Sequence, residues 1–164
     1  MLKIIDSINE FIGKAVSFML VLLTLLVVYE VVMRRLIGSP TIWTFEISKQ
    51  LYGCYFMLMA GYALLHGSHI SVDVIYSAIS TKKQALCDVF SYLVFFFPFC
   101  IVILIEGTKY AASSWMMCEK SPSIFAPPLY PIKTIIPVMA FLLLIQGIAV
   151  FVRRLEVALG REQS

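Results

Sequence analysis

Two stretches of this chain, Ala15 to Tyr29 and Thr134 to Val152, contain no charged residue. If the first is continued as helix to Met33, its 19 residues cover about 28 Å at 1.5 Å per residue, close to the roughly 30 Å hydrocarbon thickness of a bilayer. Core helices of soluble domains do not need uncharged runs of this length. Composition points the same way: 60% of the 164 residues are hydrophobic and 14% are charged, whereas soluble domains average roughly 45–50% and about 25%. The surplus apolar surface, with a mean hydropathy of +0.91, has to face lipid. The length leaves room for one domain.

Apolar periodicity and chain breakers divide the sequence into an all-α integral membrane protein of four transmembrane helices, at about 13–33, 45–65, 85–105 and 134–152. Ahead of the first span, Ile4, Ile5, Ile8, Phe11 and Ile12 recur at helical spacing among Lys3, Asp6, Asn9 and Glu10. That pattern predicts a short N-terminal amphipathic helix lying at the membrane surface. Asp6 and Glu10, together with a long apolar run and no small-residue cleavage site, argue against a cleavable signal peptide. Gly38-Ser39-Pro40 ends span one, and Trp43 then suits the headgroup interface. Val72, Ile75, Tyr76 and Ile79 predict an interfacial helix between spans two and three. Pro98 falls inside span three and predicts a kink, while Pro137 falls in the first turn of span four, where proline is tolerated. The segment from Glu106 can prolong helix three beyond the membrane, and the prolines between Phe125 and Pro131 predict an extended connection.

An even number of spans places both termini on one side. That side, with the middle loop, carries Lys3, Lys14, Lys82, Lys83, Arg153, Arg154 and Arg161, seven basic residues. The other carries Arg34, Arg35, Lys49, Lys109, Lys120 and Lys133, six. Cytoplasmic loops carry the excess, so the balance leans towards cytoplasmic termini.

The candidate functional residues cluster at the corner from Glu30 to Glu46, where Glu30, Arg34, Arg35, Trp43 and Glu46 stand between two apolar runs. Ionisable groups beside hydrocarbon are expensive and mark function by default. Glu30 and Arg34 are one helical turn apart. They can form part of an ion pathway, a mutually neutralising pair at the membrane boundary, or a docking contact with a partner. Val89 to Ile105 of span three and the whole of span four contain no charge to complete a pathway. His66 and His69 lie three apart in one segment, and no other histidine exists to make a haem or metal site across two helices. Cys54, Cys87, Cys100 and Cys118 form no Cys-x-x-Cys pair and read as small hydrophobes. No nucleophile motif, zinc motif or phosphate loop occurs, and the scattered basic residues make no nucleic-acid stripe. No catalytic, cofactor-binding or metal-binding residue is therefore assigned. The remaining possibilities are a subunit packed against a larger membrane protein, a four-helix membrane redox or haem protein, and a self-assembling pore.

Arg34, Leu36-Ile37, Gly38, Trp43 and Glu46 resemble the helix-one exit and helix-two entry of one family, the small membrane (Q) subunits of tripartite ATP-independent periplasmic (TRAP) transporters. Gly61 and the segment His69-Ile-Ser-Val-Asp73 are similar to the end of that family's second helix. Pro127-Pro128-Leu-Tyr-Pro131-Ile-Lys133, Pro137 and Gln146-Gly147 are similar to the last helix in one subgroup. The chain departs from the pattern at Phe45, where the family often has the first of two adjacent acids.

The resemblance implies a non-catalytic permease subunit of a sodium-coupled secondary transporter for organic acids. Its partners would be a large multi-span membrane subunit that moves the cargo, a periplasmic substrate-binding protein, and membrane lipids. It further implies a bacterial inner-membrane location with both termini in the cytoplasm. Arg34, Arg35, Trp43, Glu30 and Glu46 would then meet the large subunit or lipid headgroups, and His69 and Asp73 would fix the turn after span two.

Overall fold

A computed structural model of the chain describes residues 2–66 and 81–159. Its elements are α1 (Leu2–Val32), α2 (Ile42–Leu65), α3 (Thr81–Ser91), α4 (Phe97–Met116) and α5 (Tyr130–Ala158). No β-strand occurs among the described residues, only an isolated bridge between Lys120 and Pro128. The expected interfacial helix, with His69 and Asp73, lies outside the described residues.

The expected separate N-terminal amphipathic helix is corrected: α1 is a single 31-residue helix. Nothing at Gly13-Lys14 breaks it, because Lys14 pairs with Glu10 one turn earlier at 3.0 Å and the Ser17 hydroxyl donates to the Gly13 carbonyl at 2.8 Å. Nor do the polar residues of the segment all face water, since Asn9 is only 1% exposed. At its other end α1 widens into a π-turn, Met33–Ile37, closed by Gly38 at φ 69°. That left-handed conformation favours glycine. It lets the Gly38 and Ser39 N–H groups both reach the Met33 carbonyl.

A second π-turn, Tyr92–Phe96, joins α3 to α4 directly ahead of Pro98. Proline offers no N–H to the carbonyl one turn back, and the wider turn absorbs the defect where a kink was expected. As anticipated, α4 runs past Ile105, to Met116. The last helix begins at Tyr130, ahead of the expected Thr134, because Pro131 sits in its first turn where no intrahelical N–H is needed. Pro137 consequently lies inside α5.

Helix α5 is the hub, packing against α4, α2 and α3, while α1 packs chiefly on α2. Leu64, Cys100 and Leu143 form the buried core, flanked by Tyr92, Phe96 and Met139. The most apolar stretch of α5 is 33% buried, against 6% for α1 and for the α3–α4 rod. The two outer elements therefore present their apolar faces outward.

Three described helical stretches have the length and apolarity to cross a membrane: Lys3–Ile37, Lys83–Met116 and Tyr130–Ala158. The expectation was four. The missing one is α2, whose 24 residues would reach about 36 Å. Glu46, Lys49 and Gln50 in its first turns, and three tyrosines further along, dilute its apolarity.

Candidate functional site

The turn Gly38-Ser39-Pro40 folds the start of α2 back onto the end of α1, and this brings Thr41 to Glu30. One Glu30 carboxylate oxygen accepts from Arg34 Nη2 at 3.1 Å. The other accepts from the Thr41 N–H at 3.3 Å and from the Thr41 hydroxyl. Thr41 and Thr44 share a further hydroxyl contact at 2.5 Å, and Thr44 is 1% exposed. Both oxygens of Glu30 are thus occupied within the hairpin. Trp43 lies against Tyr29 with ring centroids 6.1 Å apart. Arg34 remains largely exposed despite its ion pair, and Arg35 is exposed with no partner among the described residues.

Glu46 is not part of this cluster. It is 8% exposed, accepts from the Ser121 hydroxyl at 3.2 Å, and has Lys49 at 3.7 Å. Its carboxylate ties the first turn of α2 to the connection between α4 and α5. That connection is held elsewhere by Ser121 N–H to Pro127 O and Leu129 N–H to Glu119 O, both 2.9 Å. Gln50 of α2 also reaches the Pro128 carbonyl at 3.4 Å. Beside it, Glu119 pairs with Lys133, whose ammonium lies 4.0 Å from the Tyr110 ring centroid. The Trp115 indole N–H donates to Thr134 at 2.8 Å, and its ring meets Tyr130 at 4.4 Å.

The Lys133 ammonium holds the Glu119 carboxyl below its ordinary value of about 4.5. For a carboxylate lowered in the folded state, the stabilisation is present above the ordinary value and is lost as pH falls through the lowered one. Protease cleavage of the 117–129 connection should therefore stay suppressed at a pH where free carboxylates are half protonated, and rise only in stronger acid. Glu119→Gln should raise cleavage at neutral pH. Equal cleavage of the two proteins across the acid range would contradict this role.

Of the residues singled out in the sequence, the structure brings together Glu30 and Arg34, sets Trp43 against Tyr29, places Glu46 in a separate buried contact, and leaves Arg35 turned outward. No charged line crosses the described bundle. Asp88 pairs with Arg154 at 3.2 Å, and Glu106 pairs with Lys109 at 2.7 Å on its own helix. These carboxylates are engaged by cations and neutral donors, an arrangement that orients helices and offers no nucleophile–base pair.

A second polar cluster, at the end of the bundle away from the corner, escaped the sequence reading. Gln146 is 0% exposed, accepts from Asn9 Nδ2 at 2.8 Å and donates to Asp6 at 3.1 Å. Asp6 in turn pairs with Arg153. The signal was present: Asp6 and Asn9 are three apart on α1, and Gln146 and Arg153 two turns apart on α5, so each pair shares a helix face. Nearby, His66 Nε2 lies 3.4 Å from Glu10 and its ring packs on Tyr62 at 4.2 Å, which ties the end of α2 to α1.

The family model described as tripartite ATP-independent periplasmic transporters, DctQ component, matches residues 23–157, from the last third of α1 to the last turn of α5. No curated protein matches the chain.

Proposed function

Since the chain belongs to the DctQ component family of tripartite ATP-independent periplasmic transporters, making it a small membrane subunit of such a transporter, we propose that it braces the large transport subunit and takes no part in moving the cargo itself. The family match from the last third of α1 through α5 carries this reading. The corner supports it: Glu30 is satisfied by Arg34 and Thr41, and Glu46 by Ser121 and Lys49, so neither offers a free site to a passing ion or an organic acid. Sodium coupling and recognition of organic acids belong, in this reading, to the large subunit. Helix α2 crosses the bilayer as a fourth span, completing an even number of crossings. Both termini then lie in the cytoplasm of a bacterial cell, and the inner membrane carries the complex. The corner and the 117–129 connection face the periplasm, where a substrate-binding protein arrives.

Glu46 gives the most direct test at the residue level. Glu46→Ala removes the acceptor of the Ser121 hydroxyl and the counter-charge of Lys49, a loss of roughly 1.5–3 kcal/mol for hydrogen bonds to a charged group. The expected result is poorer complex assembly and slower uptake with an unchanged order of substrate preference. Wild-type levels of both complex and uptake would show that assembly does not need the Glu46 tie between α2 and the 117–129 connection, and an altered preference would place Glu46 in a transport path.

A further inference from the structure

A groove of about 270 Å³ opens on the outer side of the α1–α2 hairpin, next to the corner. Val27 and Val31 of α1 form one wall, and Phe45 and Ser48 of α2 the other, so most of its surface is apolar. Arg34 stands at the same groove and is largely exposed. The contacts of the bundle leave a charge imbalance beside it. Glu30 offsets one arginine and Lys49 offsets Glu46, which leaves Arg35 as the uncompensated charge of the corner.

We propose that this groove holds an anionic phospholipid, with an acyl chain between Val27, Val31 and Phe45 and its phosphodiester on Arg34 at the groove and on Arg35, the next residue of the turn. Glu30 lines the groove as well, and Arg34 offsets its charge. Its carboxylate is turned into the hairpin, with one oxygen on Arg34 and the other on Thr41, and the contact to Arg34 uses Nη2, leaving other guanidinium N–H groups for an anion. An apolar slot with Arg34 at its edge and the exposed Arg35 next in the chain, on a helix whose most apolar stretch is 6% buried, matches a lipid in both hydrophobicity and charge. This inference requires the corner to sit at the membrane surface and does not require a large subunit, so the two readings can fail separately.

The test is native mass spectrometry of the full chain, with any membrane subunit that copurifies, titrated with phosphatidylglycerol, phosphatidylcholine and inorganic phosphate. Phosphatidylglycerol should be retained in preference to phosphatidylcholine, and inorganic phosphate should not be retained. Arg34→Gln with Arg35→Gln should weaken phosphatidylglycerol retention roughly thirtyfold, about fivefold for each arginine. Val31→Trp fills the groove and keeps both arginines, and it should lower retention as well. In native membranes, a photoreactive benzoylphenylalanine at Phe45 should give a lipid adduct. Unchanged retention in both variants, retention of inorganic phosphate alone, or crosslinking of Phe45 to a polypeptide would each overturn the proposal.

Discussion

Replacing Gly147 by leucine is expected to drive α5 away from α4 and to shorten the lifetime of the folded protein in detergent. A Cβ at Gly147 would fall 2.2 Å from Phe96 Cε1 and 2.9 Å from its Cζ, well inside contact distance. The ring cannot simply rotate away. It is packed against Tyr92 and Phe97, at centroid distances of 4.9 and 5.8 Å, beside the Leu64–Cys100–Leu143 core. Overpacking of this kind costs about 1–3 kcal/mol, and each 1.4 kcal/mol that falls on the barrier to unfolding is about a tenfold change in rate. Inactivation at a fixed temperature should therefore accelerate by roughly fivefold to a hundredfold. Because the cause is one ring, Phe96→Ala in the Gly147→Leu background should recover part of the lifetime. A Gly147→Leu protein as durable as the wild type would show that α4 and α5 do not meet at this glycine.

Gln146→Leu should be the next most damaging change. Its amide is the shared partner of Asn9 and Asp6, at 2.8 and 3.1 Å. Leucine is apolar and of similar size, so the loss is chiefly one of partners. Asn9 would keep a 3.3 Å contact to the Ile5 carbonyl and lose its bond to α5. A buried donor left unmatched costs about 1–3 kcal/mol, and polar pairs in membrane bundles average about 0.6. The expected loss lies near 1 kcal/mol for the pair, plus any weakening of the Asp6–Arg153 contact. Adding Asn9→Leu should restore some of it, because two apolar side chains facing each other leave no orphan. The readout is a double-mutant cycle of unfolding in detergent. Additive losses would mean that the two amides act independently.

How much of this was legible in the sequence depended on whether the signal was local. The uncharged runs of α1 and α5, the stop at Gly38-Ser39-Pro40, and the extension of α4 to Met116 follow from residues that act on their own neighbourhood. So does the Glu30–Arg34 pair, one turn apart. Contacts made across helices could not be read the same way. The first residues look amphipathic, and an amphipathic helix can lie on a membrane or in a bundle. What decides for the bundle is Gln146, 137 residues away from Asn9. Glu46 looked like a free docking charge because its partner, Ser121, is an ordinary serine in a connection 75 residues on. Pro98 announced a defect in its helix but not the form of it, a π-turn in the residues just before. Gly147 stood out in the sequence only beside Gln146 in the family resemblance, and its reason is Phe96, which occupies the space of its missing side chain.

The central point is that this chain works as a packed component of a larger membrane assembly, and extraction followed by affinity purification tests it most directly. The full chain should bring down a large multi-span membrane polypeptide in constant proportion. It should do so in mild detergent across salt concentrations that strip surface ion pairs, because the outward faces of α1 and the α3–α4 rod are apolar. Recovery of the chain alone, with conductance when it is placed by itself in liposomes, would contradict the account and identify a self-assembling pore.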